Sequence, residues 1–242
     1  MMQGTVAIAA RARGFAWVLG LLALGLWPRP AEAHKRDFAW TYEWFTPLQN
    51  EKEVELWLTY KSEEKEWQPW LEYEFAVTPR YAMGIYLTSE ASENQKLKMN
   101  GWKWEHRYRL GEFKPNRWLH AGYLELKKET GEPHELEGKW LLSKYTKKDE
   151  ALAINLIAEK ELAAGGSVKW EYSIGWNKPV RPNWRLGAEA FGEFREGRHF
   201  LGPDFTYDIP QRNFRLIFGA GVGMGQASGE LQMRTIGEFE FF

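Results

Sequence analysis

The sequence predicts an all-β fold, an antiparallel up-and-down transmembrane β-barrel of about 12 strands with a polar lumen partly filled by the N-terminal segment. Three observations predict it. Apolar and polar residues alternate with period two through thirteen segments, and successive side chains of a strand point to opposite faces. The segments mostly run to roughly 10–14 residues, long for a sandwich strand but suited to crossing ~25 Å of hydrocarbon at a tilt. Tryptophan and tyrosine gather near the ends of the apolar faces, as at a membrane interface, in a chain with 14 Trp.

The first thirty-odd residues read differently. Arg11 and Arg13 precede the apolar run Phe15 to Trp27, and Pro28-Arg-Pro30 leads to the small-residue site Ala31-Glu-Ala33. A basic region, a short apolar core and an A-x-A exit are the parts of a secretory signal peptide. The run is shorter than the ~20 residues of a spanning helix. The expected organisation is a signal peptide over 1–33 and one outer-membrane barrel domain over 34–242. Removing Arg11, Arg13, Arg29 and Glu32 from totals of 32 basic and 33 acidic residues leaves a net charge of −3. No basic excess calls for nucleic acid. The chain has no cysteine, which excludes a disulfide-stapled module and any cysteine-ligated metal or haem; no cofactor or metal is expected.

The segments fall at about 36–46, 53–62, 67–78, 81–90, 97–110, 117–129, 135–145, 150–163, 167–177, 183–195, 198–207, 212–226 and 230–242. Single-chain bacterial barrels take even strand numbers, so one segment lies outside the wall. The first, Asp37-Phe-Ala-Trp-Thr-Tyr-Glu-Trp-Phe45, is the aromatic one expected to fold inside. In 53–62, Val54, Leu56, Leu58 and Tyr60 face away from Glu53, Glu55, Trp57, Thr59 and Lys61. In 67–78, Leu71, Tyr73, Phe75 and Val77 oppose Glu72 and Glu74. Thr78-Pro-Arg80 turns the chain into 81–90. In 97–110, Trp102, Trp104 and Tyr108 oppose Lys103, Glu105, Arg107 and Arg109. The next two segments set Glu125 with Lys127, and Glu137 with Lys139, on their polar faces.

Segment 150–163 has two readings. Its composition and the following Gly165-Gly166 suit a helix with a C-terminal stop. Its alternation (Leu152, Ile154, Leu156, Ala158, Leu162) suits a strand, with Glu159 and Glu161 on the other face. In 167–177 every large residue shares a face, opposite Lys169 and Glu171. The 183–195 segment turns Arg185, Glu189, Glu193 and Arg195 inward. In 212–226, Leu216, Phe218, Ala220, Val222 and Met224 share the lipid face; Arg215 and the glycines Gly219, Gly221, Gly223 and Gly225 share the other. A row of inward glycines admits close backbone approach, so these are the expected contacts of the inserted segment; curvature or bulky neighbours explain them equally well. The nine prolines after the signal are expected in or beside the breaks between strands.

The last segment, "RTIGEFEFF", alternates Phe239 and Phe241 with Glu238 and Glu240, and includes Arg234 and Gly237. It resembles the aromatic-ended strand that bacterial outer-membrane barrels present to the barrel-assembly machinery, differing in spacing because aromatics stand at 239, 241 and 242. That implies the assembly machinery as a partner of 234–242 and outer-membrane lipid around the wall. The stretches "WTYEWFTPLQNEKEVELWLTYKS", "EYEFAVTPRYAMGIYL", "ELEGKWLLSK", "ALAINLIAEKEL" and "WRLGAEAFGEF" resemble strands of uncharacterised bacterial outer-membrane barrels. These are similar to those labelled meta-pathway phenol-degradation proteins, or loosely transporters. The resemblance covers nearly all of the chain after the signal. It implies fold and location, and transport of hydrophobic or aromatic solutes, but carries over no site residue.

The candidate lumen-lining residues are therefore Glu55, Glu72, Glu74, Glu105, Arg107 and Glu125 from the first half, with Lys139, Glu159, Glu171, Arg185, Glu189, Arg215 and Arg234 from the second. Mixed signs predict cross-strand pairs or a narrow wet pore rather than ion selectivity. No Gly-x-Ser-x-Gly, His-Glu-x-x-His, phosphate loop or EF-hand is present. The expected function is passive or facilitated passage of small solutes, with no enzyme activity. A closed structural or envelope-interaction barrel is the alternative, and a membrane-facing lipid hydrolase or acyltransferase using His106 or His120 the third.

Overall fold

Twelve strands close into one antiparallel barrel in sequence order, the first hydrogen-bonded to the last. The computed structural model describes residues 36–93, 95–225 and 227–241; the expected signal peptide at 1–33 lies outside them, as does Phe242. The strands are β1 (Lys52–Lys61), β2 (Glu66–Thr78), β3 (Tyr81–Ser92), β4 (Gln95–Leu110), β5 (Leu119–Glu129), β6 (His134–Tyr145), β7 (Ala151–Glu161), β8 (Val168–Arg181), β9 (Trp184–Glu193), β10 (Arg198–Ile209), β11 (Phe214–Gly223) and β12 (Leu231–Phe241). One 3₁₀ turn, Pro210–Arg212, links β10 to β11. Closure runs from Lys52 opposite Phe241 to Lys61 opposite Gln232, so no strand edge is left to pair with another chain along that seam.

The alternation decides which face is wet. Leu71, Ile85, Trp104, Leu124, Leu156, Leu186 and Val222 are exposed on the outside, while Glu55, Glu72, Glu74, Glu105, Glu125 and Glu189 are buried inside. A soluble sandwich or barrel would reverse these faces, because burying charge and exposing rings to water are both unfavourable. The apolar exterior is that of a barrel whose solvent is hydrocarbon.

Segment 150–163 is the strand β7, pairing with β6 from Glu135–Glu161 to Tyr145–Ala151. Both neighbours are strands, so its backbone groups are satisfied in ladders, and tertiary pairing overrides helix propensity. The proline expectation fails at three places. Pro69, Pro179 and Pro203 lie inside β2, β8 and β10. Each sits where a ladder is already irregular: the β2–β3 pairing skips from Trp67 to Trp70. The β8–β9 register shifts between Pro179 and Arg181, and the β10–β11 pairing skips from Leu201 to Asp204. A missing N–H costs nothing where no partner carbonyl waits for it.

At the barrel end that holds the start of β1 and the end of β12, two links are tight, Pro79-Arg80 between β2 and β3 being the first, while 111–118 between β4 and β5 is longer. Pro182-Asn183 joins β8 to β9, with Asn183 in the left-handed region at φ 66°, a conformation that asparagine tolerates.

Candidate functional site

Residues 36–46 have no strand structure and are almost entirely buried, although they precede the wall in sequence. They lie inside the barrel. Room for them comes from small side chains on the inward faces of β5 to β7, where Ala121, Ser143, Ala151 and Ala153 are fully buried. Phe38, Tyr42 and Trp44 of this internal segment join Trp57, Tyr86, Tyr123, Leu141 and Tyr145 of the wall in one buried cluster.

A non-strand backbone in a lumen must find its hydrogen bonds on the wall, and it does. The Glu189 carboxylate accepts the N–H groups of Ala39 (2.8 Å), Trp40 (3.0 Å) and Thr41 (2.8 Å). Asn155 accepts the Tyr42 N–H at 2.7 Å and donates to the Tyr42 carbonyl at 2.8 Å, reproducing a strand neighbour with one amide. Ser143 Oγ accepts the Trp44 N–H at 2.9 Å. The Asp37 carbonyl accepts from Asn177 (2.9 Å) and Thr206 (3.1 Å), and Arg234 donates to the Ala39 carbonyl at 3.1 Å.

Charged groups complete the attachment. Asp37 lies between Arg185 (3.2 Å) and Arg215 (3.3 Å). Arg36 bonds Glu55 at 2.9 Å and stands 4.4 Å from the ring centres of both Tyr42 and Trp57. Arg107 bridges Glu74 and Glu105, and Glu105 also accepts the Tyr86 hydroxyl at 2.6 Å. Glu72 accepts the Trp57 indole N–H at 3.1 Å. Glu43, on the internal segment and outside the strands, accepts the Asp37 N–H and the Tyr145 hydroxyl. Burial, with the Asp37 charge adding to it, pushes its carboxyl up to about 8.

A cavity of about 310 Å³ remains between this plug and the hairpins at the other end. Trp40 and Tyr42 of the plug, Trp57, Trp70, Phe191 and Phe200 of the wall, and the cations Lys61, Lys103, Lys139, Arg198 and Arg234 line it, with Glu137, Glu171 and Glu193. Lys103 is paired with Glu125 and Lys139 with Glu137, both at 2.9 Å. Arg234 has no carboxylate partner among the described residues; its guanidinium lies between Trp40 and Trp57, 5.4 and 5.3 Å from their ring centres. Its Nε donates to Thr59 at 2.9 Å.

The thirteen lumen-lining candidates therefore divide three ways. Glu55, Glu72, Glu74, Glu105, Arg107, Arg185, Glu189 and Arg215 are buried around the plug. Lys139, Glu171 and Arg234 line the cavity, with Glu125 buried behind it. Glu159 pairs with Lys169 at 2.9 Å toward the hairpin end, the carboxylate mostly buried and the lysine more exposed. Of the four glycines, Gly219 alone meets the plug: a Cβ there would fall 2.4 Å from the Trp40 ring and 2.7 Å from Ala39 Cβ. The expected plug contacts at Gly221, Gly223 and Gly225 are corrected. Gly221 lies under Phe191 and Phe200, Gly223 against the Gly229 backbone, and Gly225 only at the margin of Ser228, because the segment turns toward Glu189 and leaves β11.

Sequence reading missed Asn155, Ser143, Asn177 and Thr206, and the inward rings Tyr86, Tyr123, Phe191 and Phe200. A signal existed for Asn155, a lone amide on the inward face in the apolar first part of β7, before Glu159. On the outer wall, His106 accepts from or donates to the Tyr81 hydroxyl at 2.6 Å, and His120 packs on Trp140. Neither ring is hydrogen-bonded to a serine among the described residues.

A closed, plugged, twelve-stranded barrel with a lipid-compatible exterior is the class of protein that this geometry defines. No family model matches the chain, and no curated protein does. Solved structures with a similar fold include a KdgM porin (TM-score 0.60, 8% identity, covering 78% of this chain and 99% of that one). A KdgM porin in complex with disordered oligogalacturonate gives a TM-score of 0.58 at 7% identity, over 79% of this chain and 99% of that one. A NanC porin gives 0.56 at 10% identity, over 78% and 100%. The likeness is one of fold.

Proposed function

We propose that the chain is an outer-membrane barrel that admits small solutes into its aromatic cavity, and that the internal segment 36–46 controls their passage. The observation that carries this reading is the cavity resting directly on the plug. Trp40 and Tyr42 are at once its floor and part of the obstruction, and Arg234 reaches both the cavity and the plug backbone. The porin folds above, one of them holding oligogalacturonate in its structure, support passage as the function of the architecture. The ring-lined walls support a solute with a flat apolar surface, in keeping with the resemblance to meta-pathway phenol-degradation barrels. Partners under this reading are outer-membrane lipid around the wall and the barrel-assembly machinery at 234–242.

Planar-bilayer recording tests it. The intact barrel should be closed or open only in brief small events, and deletion of residues 36–46 should give large steady steps. Equal conductance from both proteins would refute control by the plug.

A second reading, a non-conducting structural barrel, is favoured by the number of buried bonds that hold the segment. It predicts that vesicles containing the intact protein never swell in small sugars or small aromatic solutes. A lipid-acting hydrolase at His106 or His120 has less support, since neither ring is hydrogen-bonded to a serine among the described residues. Released acyl chains from phospholipid would revive it.

A further inference from the structure

Every cation on the wall of the cavity except one has a carboxylate bonded to it or opposite it. Lys103 pairs with Glu125, Lys139 with Glu137 and Arg198 with Glu196, and Lys61 stands opposite Glu66 across β1–β2. Arg234 differs. Across the two ladders of β12 it faces Thr59 on β1 and Gly219 on β11, neither of which carries charge. Among the described residues no carboxylate forms an ion pair with it. Glu189 is occupied by the N–H groups of Ala39, Trp40 and Thr41. Glu171 and Glu193 stand opposite each other on β8 and β9, with β10 and β11 between them and β12. Arg234 donates from Nε to Thr59 and from one Nη to the Ala39 carbonyl; its other Nη has no hydrogen-bond partner among the described residues. A guanidinium held in a lumen wall without a counter-charge is a costly arrangement, and its planar fork matches a carboxylate.

The rings beside Arg234 supply the second half of a site. Its guanidinium lies between Trp40 and Trp57. Trp40, Phe191 and Phe200 form a stack, with successive ring centres 4.3 and 5.1 Å apart and planes within 15°. Trp57 leads on to Trp70 at 6.3 Å. Resting on the reading that the cavity admits solutes, we propose that its ligand is a small aromatic monocarboxylate. The acid group would sit on the Arg234 fork and the ring among Trp40, Trp57 and Phe191. The volume, about 310 Å³, is at the small end of ligand pockets, about 300–1,000 Å³, and suits one or two rings rather than a chain of sugars. A flat ring gains from offset-stacked or edge-to-face contact with the rings already there, and the carboxylate supplies the counter-charge that Arg234 lacks. Glu137, Glu171 and Glu193, also on the cavity wall, disfavour a second acid group. A cationic solute would answer Glu171 but leave Arg234 uncompensated.

Isothermal titration of the full barrel in detergent tests this with benzoate, its neutral isostere benzamide, benzylamine and galacturonate. Benzoate should bind saturably, one per barrel, and about tenfold tighter than benzamide, the order expected of hydrogen bonds to a charged group. R234Q should bring benzoate down to the affinity of benzamide, and R234K should recover part of the difference. Heat-modifiable migration checks that both variants remain closed barrels. Equal affinity of the native barrel for benzoate and benzamide, or no bound probe at all, would overturn the proposal without recourse to any variant. Tighter binding of benzylamine would assign the cavity to Glu171 and Glu193, and tighter binding of galacturonate would make the rings a platform for sugars; either result overturns it. So would native benzoate affinity in R234Q. Titration requires no passage, so its outcome is separate from that of bilayer recording. A barrel that binds benzoate and never conducts refutes passage alone, and one that conducts without preferring benzoate refutes this inference alone.

Discussion

Three backbone N–H groups converge on one carboxylate at Glu189, and the attachment of the plug turns on its charge. An amide in its place would present two donors to the N–H groups of Ala39, Trp40 and Thr41. Hydrogen bonds to an ionised acceptor are worth about 1.5–3 kcal/mol each, so E189Q should weaken docking by ~2–4 kcal/mol once the remaining oxygen is counted. Hydrogen exchange at these three amides should accelerate accordingly, while the wall amides of β5 and β6 stay protected. Unchanged exchange would mean that the segment is held by packing alone. Glu43 supplies the second prediction at this scale. Its docked pKa, about 8, lies above the ordinary value of 4.5, so the plug binds the protonated acid more tightly than the free segment does. That contribution is full below about 4.5 and is lost as pH climbs through about 8. Openings in bilayer recordings should become more frequent between pH 7 and 9, and E43Q, which mimics the protonated acid, should flatten the profile.

At the scale of the element, Gly219 on β11 separates the two roles of glycine in a barrel wall. A side chain there enters space held by Trp40 and Ala39, so G219L should eject the plug and raise conductance toward that of the deletion. G225L meets only the margin of Ser228 and should change neither conductance nor stability by more than about 0.5 kcal/mol. A closed, unaltered barrel from G219L would show that the plug can shift without leaving. The same strand marks how far the sequence could be read. Period two placed the inward and outward faces of β1, β2, β4 and β8 correctly, because hydrocarbon on one side and charge on the other leave one solution for each strand. Glu55 and Arg215 were legible as inward residues for that reason. The plug's attachment was not. Asn155 and Glu189 lie more than a hundred residues from the amides they bind, and local pattern carries no information about such pairs.

The whole molecule is a ribbon of ladders whose net preference is for a bilayer, and the depth of that preference can be measured. Leu124 lies midway along β5 and is 48% exposed on the outer face; in a membrane it meets the centre of the hydrocarbon. Trp184 opens β9 and is 40% exposed, where interfacial water can reach a charge. Arginine on the lipid face costs about 2–4 kcal/mol at the midplane and about 0–1 kcal/mol near the interface. L124R should therefore lose ~2–4 kcal/mol in reversible folding into lipid vesicles, and W184R no more than about 1 kcal/mol beyond the loss of its ring contacts with Phe205 and Tyr207. The contrast is independent of what the lumen transports, because both positions face away from it. Equal penalties at the two depths would mean that the outer face does not meet a hydrocarbon slab. The charged interior would then need an explanation other than an inverted barrel.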